Sequence, residues 1–212
     1  MSQWAMADFR GHMTQHLAVG MAAPLLLVLG APITLFLGSV HPPTGRFVMG
    51  LLRTRLAWLL TRPTMALALA VGPMAALYFT PLYGWATASA LSHVILHVHF
   101  LAAGYLFAWV IAGPDPAPHR ASVQARIVTI GVAVVIHATV SQFMYAGIGL
   151  HVDAPAEQIR DGAALMYFGG DLIEILLALA LLITWRTSQG PSTTGRVKVP
   201  AGTGTRTVNG PG

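Results

Sequence analysis

Apolar residues in this chain come in blocks too long for the alternation of a half-buried strand or the single stripe of a soluble helix. From Pro63 to Pro114, 52 consecutive residues contain no Asp, Glu, Lys or Arg; Gly11 to Gly45 adds a second such block of 35, and Ile127 to Val152 a third of 26. Each exceeds the ~20 residues that carry a helix across a bilayer core. A further stretch, Gly162 to Trp185, is apolar apart from Asp171 and Glu174. The pattern predicts an all-α fold, a polytopic transmembrane helix bundle of about five spans. The longest block must fold back once, and Thr80-Pro81-Leu82-Tyr83-Gly84 supplies the turn chemistry. Spans are predicted near 12–38, 64–81, 85–112, 123–148 and 162–185, with Pro24 and Pro32 kinking the first and favouring an early end.

Charge sharpens this picture. Only 12 Lys+Arg and 7 Asp+Glu occur among 212 residues, 9% of the chain, where a soluble domain carries about a quarter. An ordinary cytosolic domain is thereby excluded. Arg46, Arg53, Arg55 and Arg62, then Arg120 and Arg126, then Arg186, Arg196, Lys198 and Arg206 fall on one side of the predicted topology, and only Arg10 and Arg160 on the other. The excess of Lys and Arg assigns the richer side to the cytoplasm, so the N-terminus is outside and the C-terminus cytoplasmic, in a multi-pass protein of the plasma (inner) membrane. Residues 1–11 form a short extracytoplasmic N-terminus without the features of a cleavable signal, 12–185 the bundle, and 186–212, rich in Gly, Pro, Ser and Thr, a disordered cytoplasmic tail. The net charge of +5 reports loop orientation, and no nucleic-acid partner is expected. The absence of cysteine excludes thiolate metal sites, iron–sulfur ligation and disulfides.

The polar residues inside the spans carry the candidate chemistry. His93 and His97, four apart, share one face of the third predicted span. His137 and Met144, seven apart, share a stripe of the fourth, and Met166, Asp171 and Glu174 lie on the fifth. His12, Met13 and His16 stand at the outer end of the first. At ~1.5 Å per residue these groups fall roughly 12–18 Å or less below the outer surface. Ionisable groups within a span cost at least ~2.5 kcal/mol on insertion scales, which makes such a set a functional-site hypothesis. Imidazole and thioether donors without thiolate suit copper, the thioethers favouring Cu(I). Asp171 is expected to orient an imidazole or to ligate directly, and Asp171 and Glu174 have no Lys or Arg in a span to pair with. Plainer readings stand beside these: a lone intramembrane His also serves as an interhelical contact, and Met144 and Met166 also fill gaps in packing.

Several strings resemble a known family. His12-Met13-Thr14-Gln15-His16 leading into Ala23-Pro24-Leu25-Leu26-Leu27-Val28-Leu29-Gly30-Ala31-Pro32 is similar to the signature of the CtaG-type cytochrome c oxidase assembly factors. Leu77-Tyr78-Phe79-Thr80-Pro81-Leu82, His97-Val98-His99-Phe100-Leu101 and Gly162-Ala163-Ala164-Leu165-Met166-Tyr167-Phe168-Gly169-Gly170-Asp171 resemble its later motifs in order. The chain departs from that pattern at Tyr167, in place of tryptophan, and Asp171, in place of glutamate, and its first string lies nearer the start than in family members with additional preceding spans. The resemblance implies a non-enzymatic membrane factor that supports maturation of cytochrome c oxidase, with oxidase subunits and a copper donor protein as partners. Two other functions fit the residues: a haem b electron carrier with His97 and His137 as axial ligands, and a proton- or metal-coupled transporter using Asp171 and Glu174.

Overall fold

The structure is a computed structural model and is described here for residues 8–188. The expected tail beyond Ser188 and most of the expected extracytoplasmic segment lie outside the described residues. Nine helices follow one another among the described residues, which contain no strand.

Helix α1, Phe9–Leu29, begins at Asp8, whose carboxylate accepts the Arg10 backbone N–H at 2.9 Å and pairs with its guanidinium at 2.7 Å. The hydrogen bond from Arg10 holds the Asp8 carboxyl below its ordinary range. Midway, Pro24 has no N–H to offer the Gly20 carbonyl, and the helix widens into a π turn over Ala18–Ala22. It stops at Leu29 because Ala31 takes a left-handed conformation, φ 49°, ahead of Pro32. The first apolar block is therefore two helices rather than a span over 12–38. Its second part, α2 (Pro32–Ser39), starts against the buried Asp115 carboxylate, which accepts the N–H groups of Ile33 and Thr34 at 3.1 and 2.8 Å and the Thr34 hydroxyl at 2.6 Å. Helices α3 (Pro42–Leu52) and α4 (Arg55–Leu60) follow, and none of α2–α4 buries a residue.

Four helices have the length and apolarity to cross a membrane: α1, α7 (Ala90–Ala112), α8 (Val123–Ala146) and α9, which runs over Ala156–Ser188. A fifth, α5 (Pro63–Phe79), has 17 residues, about 26 Å at the α-helical rise and close to the ~30 Å of a hydrocarbon core. The Thr80-Pro81 turn falls where the sequence places it. The chain then makes a short helix, α6 (Leu82–Thr87), before a Ser89/Ser92 capping box starts α7 at Ala90. The third span thus begins five residues later than Trp85, and the fifth begins before Gly162. Helix α8 ends at Gly147, whose φ of 70° suits a left-handed cap.

Helix α1 lies between α7 and α9, α8 packs along α9, and α5 closes the bundle against α7 and α8. The contact of α1 with α7 is unusually close. A Cβ added at Gly104 would collide with the Gly20 carbonyl oxygen and sit 2.9 Å from Pro24 Cγ, a small-residue crossing of the kind that lets membrane helices approach backbone to backbone.

The core divides into two clusters. One is built from Leu25, Val28, Phe107, Trp109, Ile111, Ile130, Leu177, Leu181 and their neighbours. The other, toward the N-terminal end of α1, holds Phe9, Leu77, Tyr78, Leu96 and Phe100 together with Met13, Met74, Met144 and Met166. Among the described residues all four buried methionines fall in this second cluster, and the first contains none.

Candidate metal centre

Five of the nine histidines, His12, His16, His93, His97 and His137, lie toward the methionine-rich end and form two groups. The upper group is built on the first turns of α1 and α7. His12 is buried, its ring centroid 6.2 Å from that of His93 and 5.3 Å from that of Tyr83. Its Nε2 lies 3.4 Å from the Tyr78 hydroxyl, which also reaches Met13 Sδ at 3.8 Å. His93 stacks on His97 at 4.3 Å, as their spacing of four predicts. His97 Nδ1 meets the His93 carbonyl at 2.7 Å. A carbonyl can only accept, so Nδ1 carries the proton and Nε2 is left as a lone-pair donor, the usual arrangement of a metal-binding imidazole. His93 Nε2 is buried without a partner. Above these rings opens a polar pocket of about 240 Å³, lined by Asp8, His12, Tyr83, His93, Asp153 and Gln158 among others. Because α7 starts at Ala90, His93 sits only about 5 Å below its first residue, nearer the mouth than a start at Trp85 predicts.

The lower group joins three helices. His16 of α1 sits one turn below His12, against the edge of Phe100 at 4.7 Å. His137 of α8 faces Glu174 of α9, Nδ1 to Oε1 3.6 Å, an ion-pair distance rather than a hydrogen bond. His16, His137 and Glu174 are only 6%, 4% and 5% exposed, and all line one cavity of about 70 Å³ between the helices. Gly170, one turn before Glu174, makes room for the ring: a Cβ there would lie 2.5 Å from His137 Cε1 and 2.6 Å from Nε2.

Of the ten residues singled out in the sequence, His12, Met13, His93 and His97 meet in the upper group, and His16, His137 and Glu174 in the lower. Met144 and Met166 are fully buried in the same apolar cluster as Met13. Asp171 is half-buried and makes no hydrogen bond or ion pair among the described residues; the carboxylate facing His137 is that of Glu174, which shares a helix face with Gly170. No three of the described His, Asp and Glu side chains converge closely enough to hold a metal ion between them, so a metal held here draws on pairs of imidazoles with thioethers. Tyr78, Tyr83 and Met74 belong to this end as well. Met74 and Tyr78 stand four apart on α5, a spacing visible in the sequence but submerged in an unbroken apolar run.

Residues 1–188 match the family described as cytochrome c oxidase caa3 assembly factor. Similar chains include uncharacterised proteins of Mycobacterium bovis and Mycobacterium tuberculosis, each 33% identical, and one of Mycobacterium leprae, 29% identical. Each alignment covers 84% of this chain and 30% of the relative, so the chain spans less than a third of the length of these relatives. No solved structure matches.

Proposed function

Since the chain belongs to the cytochrome c oxidase caa3 assembly factor family, we propose that it is a non-catalytic factor that supports assembly of a cytochrome c oxidase by holding copper, as Cu(I), at the methionine-rich end of its bundle. The observation that carries this reading is the segregation of the core: among the described residues every buried methionine lies in the cluster beside the paired histidines, and the other cluster holds none. Packing alone has no reason to sort methionine from leucine by position, whereas a soft monovalent ion selects thioether and imidazole donors.

The upper group is where copper enters and leaves. His12, Met13, His93 and His97 lie beneath a pocket at the methionine-rich end, and His97 is held with its Nε2 lone pair free. A site of few donors close to a mouth suits a carrier, because an incoming ligand from an oxidase subunit can displace the donors one at a time. A copper donor protein on the same side would load it by the reverse exchange. A haem b carrier fits less well: His97 does not line the cavity that holds His137, and that cavity, at about 70 Å³, falls far below the ~300 Å³ lower end of small-molecule pockets.

The direct experiment is copper retention by the full chain purified in detergent and loaded anaerobically with Cu(I). His93→Ala and His97→Ala are expected to lower retained copper while leaving membrane insertion intact. Unchanged copper in both variants refutes the site, and a Soret band in the purified protein refutes the copper reading in favour of haem. Deleting the protein is expected to lower cytochrome c oxidase activity in the source cell; normal oxidase assembly without it refutes the assembly role.

A further inference from the structure

The lower group has features that the upper group does not explain. Three side chains from three helices, each more than nine-tenths buried, present atoms without hydrogen-bond partners: His16 Nδ1, His137 Nε2 and Glu174 Oε2. All three residues line the same cavity. Buried polar groups in a membrane protein are rarely left unsatisfied, and when several are, a ligand or ordered water is the usual completion. Glu174 adds a sign to the requirement. An ionised carboxylate at this depth needs a cation, and its only ionisable neighbour in ion-pair range among the described residues is His137.

The orientation of His137 narrows the ligand. Glu174 faces Nδ1, which leaves Nε2 as the unpartnered nitrogen. A carboxylate behind one ring nitrogen and no hydrogen-bond partner on the other is the arrangement by which proteins present imidazole to a metal. Met74, 3% exposed, contributes a thioether to the same lining. Imidazole from α1, imidazole from α8 and thioether from α5 make a soft, low-coordinate donor set. Hydrated divalent ions prefer oxygen donors and more of them.

The geometry points to a second, deeper Cu(I) station in the cavity between α1, α5, α7, α8 and α9, with His16, His137 and Met74 as donors and Glu174 as the residue that positions His137 and balances the ion's charge. This deepens the copper-holding reading above and rests on it. His12 of the upper station and His16 of the lower are one turn apart on α1, about 6 Å along the axis, so the two stations share a helix.

The test is a Cu(I) titration of the full-length protein in detergent under reducing, anaerobic conditions, against a competing chromogenic chelator. Wild type, His137→Ala, Glu174→Gln and the double variant His12→Ala/His93→Ala are compared. The wild type is expected to take up copper at both stations. His137→Ala is expected to lose the inner component alone, and the double variant to lose the outer component alone. Glu174→Gln keeps the size of the side chain, and with it the fold, and is expected to weaken the inner component ~10–100-fold. X-ray absorption of the singly loaded double variant is expected to show a sulfur scatterer that disappears with Met74→Leu. If uptake is a single component that the double variant abolishes, and His137→Ala and Glu174→Gln bind as wild type, the inner station is overturned while the upper one stands. No copper bound by any form overturns both.

Discussion

Replacing Gly170 by alanine adds one methyl group at the point where α9 meets the ring of His137. The new carbon would lie 2.5 Å from Cε1 and 2.6 Å from Nε2. Carbon atoms in contact settle near 3.5–4.0 Å, so the ring must retreat by about 1 Å. It has little room for this, being 4% exposed and set between α8, α9 and the Glu174 carboxylate. Overpacking of this kind costs about 1–3 kcal/mol, and the ordinary helical advantage of alanine over glycine returns about 0.5–1 kcal/mol. The net loss is up to about 2.5 kcal/mol, a fall in melting temperature of up to roughly 10 °C for a chain of this size. Gly131 of α8 is the matched control, since a Cβ there meets nothing within 4 Å. Gly131→Ala is expected to hold or raise the melting temperature. Thermal unfolding of both variants in the same detergent, with Cu(I) retention measured alongside, reads the contrast. Gly170→Ala is expected to lower both stability and copper retention; if it behaves like Gly131→Ala in both assays, the placement of His137 against α9 is wrong.

Gly104→Ala drives a methyl group into the Gly20 carbonyl, an obstacle that cannot rotate away, and is expected to cost more than Gly170→Ala, read as lower yield of folded protein and a lower melting temperature. Tyr78→Phe removes the hydroxyl that reaches His12 Nε2 and Met13 Sδ, with an expected loss of about 0.5–1.5 kcal/mol; a melting temperature equal to wild type would show that neither contact persists in the membrane. Asp115→Ala leaves the N–H groups of Ile33 and Thr34 and the Thr34 hydroxyl without their acceptor, and hydrogen exchange over Pro32–Ser39 is expected to speed up while α7 and α8 stay protected.

The helical bundle was legible because uninterrupted apolar runs admit few solutions in a bilayer. The turn at Thr80-Pro81 and the spans of α7 and α8 fall close to where composition places them. The end of the first span did not, because hydropathy continues unchanged through Ala31-Pro32 while the backbone reverses there. That break depends on one left-handed residue and on Asp115, a partner some eighty positions away. The gathering of histidines was legible as spacing within single helices, His93 with His97 above all. Their division into two groups was not, since it depends on where α7 and α9 begin, and capping by Ser89 decides the first of these. The choice between Asp171 and Glu174 turned on helix rotation, which a stretch apolar on nearly every side does not reveal.

The concentration of thioethers at one end also decides how the protein meets oxidants. Met13, Met144 and Met166 have no exposed surface and Met74 almost none, whereas Met21, Met49 and Met65 are partly accessible. Peroxide will convert the accessible group to sulfoxides first, at little cost to the fold. A sulfoxide on Met13 or Met166 places a polar oxygen in a dry cluster and forces the helices apart. The buried set therefore lasts as long as the bundle stays closed, and sulfoxide formation within it would record how often the helices part.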